Sequence, residues 1–167
     1  MKRIHVLTAM AASLVMSTGA MAQVSDQGTG QMSATVLSQD ITLTQVETLR
    51  FGTLLPFGRA GYIRITTAGA TVDSNALSTS AGAPSLWTVE GIGNAPFDIA
   101  LPASAEVTDA AGNNMTVDAF SRTGSTSQLF LDAAGDASFA VGAYLRVGAN
   151  QPAGNYNGTY QVTVSYN

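Results

Sequence analysis

From residue 40 onward the chain is written in short stretches where apolar and polar residues take turns. Residues 40–46 (DITLTQV), 61–66 (GYIRIT), 86–91 (LWTVEG), 97–101 (FDIAL), 114–120 (NMTVDAF) and 137–147 (ASFAVGAYLRV) all repeat with a period of two. That is the period of a β-strand with one face buried and one face wet. Residues 31–37 (QMSATVL) alternate as well, 49–55 (LRFGTLL), 128–131 and the weaker 70–73 predict further strands, and residues 74–84 (SNALSTSAGAP) read as a loop. The cleanest alternation closes the chain: Tyr156, Gly158, Tyr160, Val162, Val164 and Tyr166 are separated by polar residues throughout, which predicts a strand over 158–166. No stretch sustains a 3.6-residue apolar period with caps. Short strands, β-branched residues and regular turns predict an all-β fold, an antiparallel β-sandwich or barrel.

The first residues do not fit this pattern. A short basic start (MKRIH) precedes an apolar run over 6–16 (VLTAMAASLVM) and a small-x-small close at 20–22 (AMA). Together they predict a secretory signal peptide over residues 1–22, too short to span a membrane. Export through the Sec pathway to the periplasm, and then to the cell surface or an extracellular fibre, is the expected route. Residues 23–38 form an N-terminal extension, polar over 23–30 (QVSDQGTG), and residues 39–167 form the sandwich domain. The 145 residues left after cleavage suit one domain that buries about 70% of its unfolded surface.

Composition then removes most chemistry. Beyond residue 22 there is no histidine, lysine or cysteine, and five arginines face eleven acids, a net charge of −6. Histidine and activated Ser, Cys or Lys carry most acid–base and nucleophilic catalysis near neutrality. None of those arrangements can be built here, so the expectation is no enzyme, no cofactor and no metal site. An acidic chain without basic runs also argues against nucleic acid and against insertion into a membrane. The acids Glu90, Asp98, Glu106, Asp109 and Asp118 fall on polar strand positions or in turns, as solvated side chains do. The similar segments 109–113 (DAAGN) and 132–136 (DAAGD) lack the ligand spacing of a calcium loop and predict hairpin turns, with glycine supplying a positive φ. Trp87 shares a strand face with Val89 and is expected in the core rather than on a sugar-binding surface. Tyr144 and Leu145, in the longest strand, are taken as packing residues.

Several segments together resemble a known family: LRFG at 49–52, LWTVEG at 86–91, FDIAL at 97–101, LRVGAN at 145–150 and the close AGNYNGTYQVTVSYN at 153–167. The pattern is similar to the secreted bacterial domain-of-unknown-function family 4402, and through it to spore-coat-U and archaic chaperone–usher pilin subunits. The resemblance implies an immunoglobulin-like, pilin-like β-sandwich lacking its own final strand. A periplasmic chaperone fills the resulting groove first, an outer-membrane usher exports the subunit, and the next subunit's N-terminal extension then replaces the chaperone by β-strand addition. On this chain the groove strand maps to Tyr156, Tyr160, Val162, Val164 and Tyr166. The donor maps to Met32, Ala34 and Val36. The implied function is a structural subunit that self-associates into a surface fibre or coat. Such subunits often carry a disulfide, which this chain cannot form. Two roles stay open for residues 31–37: a donor to a neighbour, or this domain's own first strand, which would leave a self-complete secreted module binding a glycan or surface protein.

Overall fold

The computed structural model describes residues 31–34, 40–56, 58–74, 76–124 and 129–167. The chain divides into two compact units, Met1–Val36 and Leu37–Asn167. Within the first, residues 31–34 carry no strand and Met32 is 99% exposed. Val36, like residues 1–22, where a signal peptide is expected, lies outside the described residues.

The second unit is all-β, with no helix among the described residues. Its strands are β1 (Thr42–Glu47), β2 (Leu54–Pro56), β3 (Gly61–Ile65), β4 (Thr71–Ser74), β5 (Ala76–Ser78) and β6 (Ser85–Glu90), followed by β7 (Pro96–Ala100), β8 (Ser104–Thr108), β9 (Asn114–Arg122), β10 (Leu129–Phe130), β11 (Asp136–Val147) and β12 (Thr163–Tyr166). Every pairing is antiparallel, as the alternating pattern requires of strands with one wet face. Seven strands form one sheet, β10-β7-β12 form a second, and β2-β5 form a small ribbon.

The twelve-residue β11 is the spine. Residues 136–141 pair with β6, residues 143–147 pair with β3, and β9 runs along the other edge. At the handover stands Gly142, where any Cβ would collide with the Ile65 carbonyl oxygen. Odd-numbered positions of β11 from Phe139 to Val147 face inward and are buried. They feed two clusters. The first holds Ile63, Ile65, Met115, Val117, Ala143, Leu145 and Val147. The second holds Val89, Phe97, Leu131, Phe139 and Val141, sandwiched between the large sheet and the β7–β12 sheet. Each fully buried aliphatic side chain contributes roughly 1.5–3 kcal/mol.

Several elements differ from the expected ones. The loop expected over 74–84 contains β5, and residues 104–108 form β8. The strand expected over 49–55 is reduced to an Arg50–Ala83 bridge and β2, because Gly52 turns the chain with φ +80°. The strand expected over 158–166 is laddered only from Thr163. The reason is a crossing. Asn157 pairs with Thr108 of β8 in both directions, at 2.9 and 3.0 Å, and six residues later the same segment lies on β7 in the other sheet. Gly158 sits where a Cβ would strike the Glu106 carbonyl oxygen, so only glycine lets the chain pass that close.

Candidate functional site

The last strand lies on β7 in the register Thr163–Ala100, Val164–Ile99, Ser165–Asp98 and Tyr166–Phe97. It is the outermost strand of its sheet, with no partner on its other edge among the described residues. The phase of the ladder follows from the Asn167 amide, which donates to the Pro96 carbonyl at 3.3 Å. In an antiparallel pair alternate residues turn their N–H and C=O toward the neighbour. Thr163 and Ser165 therefore bond to β7, and Val164 and Tyr166 present their main-chain groups to the open side.

β1 is the matching edge of the large sheet, paired with β6 and, among the described residues, with nothing beyond. It approaches β12 across the second cluster. Leu43 and Gln45 stand opposite Val89 and Trp87, so all four share the core-facing side of that sheet. Val89 is fully buried, Leu43 and Trp87 are half-buried, and Gln45 is exposed despite its inward position. The facing residues Tyr160, Val162, Val164 and Tyr166 are each half-buried, with exposed residues between them. The result is a seam: two strands with free edges, flanking a core that is dry at β11 and wet at its margin.

The seam is held in shape by hydroxyls. The Tyr160 hydroxyl lies 2.5 Å from Ser85 Oγ, and Trp87 Nε1 donates to Ser85 Oγ at 2.9 Å and to the Tyr160 hydroxyl at 3.3 Å. Ser85 is completely buried, so these bonds satisfy a group that would otherwise be costly. Around them Trp87 stacks on Phe139 at 6.4 Å, and Tyr160 meets Phe120 at 5.0 Å. Trp87 is thus a packing residue of the seam floor. At the chain's end the Ile92 amide donates to the Tyr166 hydroxyl at 2.7 Å. Gly91 leaves the space that hydroxyl occupies, since a Cβ there would collide with it. A penultimate tyrosine therefore fastens the last strand to the β6–β7 turn.

The residues mapped onto the seam do not all meet there. Tyr160, Val162, Val164 and Tyr166 pack on the second cluster, whereas Tyr156 packs on the first. The Tyr156 hydroxyl donates to the Pro152 carbonyl at 2.7 Å and accepts from Gln151 Nε2 at 2.9 Å, closing the 148–156 loop. Met32 and Ala34 are exposed and unpaired in strand terms.

Comparison with known proteins identifies the chain only at the level of a family. A family described as Domain of unknown function (DUF4402) matches residues 41–166. The chain belongs to that family. No curated protein and no solved structure matches it, and nothing ties it to spore-coat-U or chaperone–usher pilin subunits.

Two more features of this DUF4402 domain bear on function. The two DAAG segments are hairpin turns built alike. Asp109 Oδ1 accepts from the amides of Ala111 and Asn113 at 2.9 and 2.8 Å, and Asp132 Oδ1 accepts from Ala134 and Asp136 at 2.8 and 2.9 Å. Gly112 and Gly135 follow with φ +87° and +98°. The Asn113 side chain, then backbone amides, hold the Asp109 carboxyl below its usual range; the Asp136 amide does so for Asp132. Both carboxylates are occupied with their own turns.

The other feature escaped sequence reasoning. Tyr62 and Arg64 of β3 lie beside Tyr144 and Arg146 of β11 on the outer face of the large sheet. The tyrosine rings are 5.2 Å apart, Arg64 lies 5.3 Å from the Tyr144 ring, and Arg146 lies 5.0 and 5.9 Å from the two rings. Arg146 Nε reaches both oxygens of Asp118 at 3.0 and 2.9 Å, hydrogen bonds that raise its pKa further. Tyr144 is thus an outer-face residue while Leu145 is core, as a period of two demands of neighbours.

Proposed function

We propose that this protein is a non-enzymatic structural subunit of a bacterial surface fibre or coat, assembled by β-strand donation between copies. One observation carries the proposal: among the described residues β12 is an edge strand, and its main-chain groups at Val164 and Tyr166 face a seam lined by half-buried apolar residues. Such an edge is a template for another strand, and leaving it bare invites aggregation. An added strand would ladder with β12 and place alternate side chains over Trp87, Tyr160 and Val164.

The donor in this proposal is the 23–38 extension, with Met32, Ala34 and Val36 as the alternating plugs. The exposure of Met32 and the lack of strand pairing at residues 31–34 support it. The residue inventory beyond the signal segment, without histidine, lysine or cysteine, supports a role without catalysis. A subunit of this kind passes through the periplasm, where a chaperone shields the seam and an outer-membrane usher exports it.

The test is deletion of residues 23–38. Intact protein should form polymers that resist detergent until boiled, and the deleted protein should remain a folded monomer that binds a peptide of the 23–38 sequence. An intact chain that stays monomeric, together with a deletion that unfolds, would mean that the extension completes its own domain.

A further inference from the structure

The outer face of the large sheet carries two unpaired carboxylates at one end and an arginine without an acidic partner toward the other. Reading the outward positions along β11 gives Asp136, Ser138, Ala140, Gly142, Tyr144 and Arg146. At the first end Asp136 stands directly opposite Glu90 of β6, and both are exposed. Like charges directly opposite in a sheet destabilise it. No cation pairs with either carboxylate among the described residues. At the second end stands the tyrosine–arginine array, where Arg146 is paired with Asp118 and Arg64 has no acidic partner among the described residues; Glu106 of β8 lies on the same face at the far margin, beyond β9 and away from Arg64. One end therefore holds two carboxylates without a cation, and the other an arginine without an anion, on one continuous face.

We infer that this face is an interface between two copies of the chain, packed face to face about a two-fold axis with their β11 strands antiparallel. In that arrangement Glu90 and Asp136 of one copy meet Arg64 and the tyrosine array of the other, and the symmetry repeats the contact at the opposite end. An isologous contact needs a self-complementary surface, which the Glu90–Asp136 pair at one end and the Arg64 side of the array toward the other provide. Ten residues of β11 separate Asp136 from Arg146, about 33 Å at the strand rise, and four strands add about 19 Å of width. That is roughly 600 Å² per partner, which places the contact among the weaker specific interfaces. It is separate from the seam, because it uses the outer face of the sheet rather than the β1 and β12 edges, and it stands whether or not strands are exchanged.

The test uses the intact chain in sedimentation velocity from about 10 mM to about 1 M salt, across which screening shortens from about 30 to about 3 Å. The expected result is an association step, monomer to dimer, that is present at low salt and lost at high salt. Arg64→Glu should abolish that salt-sensitive step, and Asp136→Arg should abolish it separately. The two together, carried on one chain, should restore it. Detergent-resistant polymers from strand exchange would be unmoved by salt, which keeps the two kinds of association apart. The inference is overturned if no salt-sensitive step exists, if either single reversal leaves it intact, or if the double reversal fails to restore it. Binding of an anionic polysaccharide that is lost in Arg64→Glu but not restored in the double variant would likewise count against a second copy as the partner.

Discussion

The two halves of β11 are built from one alternating pattern, yet they end differently. Around residues 143–147 the core is closed by the chain's own strands, and seven residues form a buried cluster. Around residues 137–141 only five residues are buried, and twelve partly buried apolar residues surround them, including every inward position of the last strand. Among the described residues the first half has β3 and β9 on its two sides, whereas the second runs through β6 to the edge strand β1, which lies across the core from the edge strand β12. The same patterning thus yields a finished core where topology supplies neighbours and an unfinished margin where it does not. Alternation specifies that a face wants burial; it does not specify which chain buries it.

Substitutions sharpen this contrast. Ile63→Ala, in the closed half, should cost about 2–5 kcal/mol, because the cavity lies among residues that cannot collapse. Val164→Ala, on the seam, should cost the monomer only about 1 kcal/mol, since part of its surface is already wet. Urea midpoints measure both, and equal costs would erase the distinction between the halves. On assembly the Val164→Ala penalty should grow toward that of a core position while the Ile63→Ala penalty stays put.

A somewhat smaller effect tests the fastening of the last strand. Gly91→Ala should destabilise by about 1–3 kcal/mol, because the new methyl displaces the Tyr166 hydroxyl. Tyr166→Phe alone should lose about 0.5–1 kcal/mol, the net value of one hydrogen bond. Combined, the two should cost less than their sum, since removing the hydroxyl makes room for the methyl. Simple additivity would place the strain elsewhere.

The smallest effect comes from the turns. Asp109 and Asp132 have carboxyls lowered by hydrogen bonds made in the folded state. A lowered folded value contributes stability above the unfolded value, about 3.9, and that contribution disappears as pH falls through the folded value. The stability gap between wild type and Asp132→Ala should therefore be constant near neutrality and close at acid pH below about 4. A gap that widens on acidification would contradict the sign.

Most strands were legible because their inward residues are large and regularly spaced, as in Ile63 and Ile65 or Phe139 to Val147. β8 was not, since Ala105 and Val107 are its only inward side chains and Pro102 precedes it. The alternation holds as a burial pattern from Tyr160 to Tyr166, with Gly158 exposed, and it did not reveal that Tyr156 serves one cluster and Tyr160 the other. That split comes from the crossing at Asn157 and Gly158, which depends on contacts with β8 far away in sequence. The tyrosine–arginine face was invisible for a related reason: its members are neighbours only across β3 and β11. Their register is set by pairing rather than by spacing along the chain.

Under the proposed strand donation, the outer edge of β12 is free in the single chain and covered in the polymer. Residue-resolved amide hydrogen exchange tests it most directly. In the monomer the amides of Thr163 and Ser165, bonded to β7, should be protected, while those of Val164 and Tyr166 exchange freely. In polymers, or with a peptide of residues 23–38 bound, all four should be protected. Protection of Val164 and Tyr166 already present in the lone monomer, or still missing after assembly, would contradict the account.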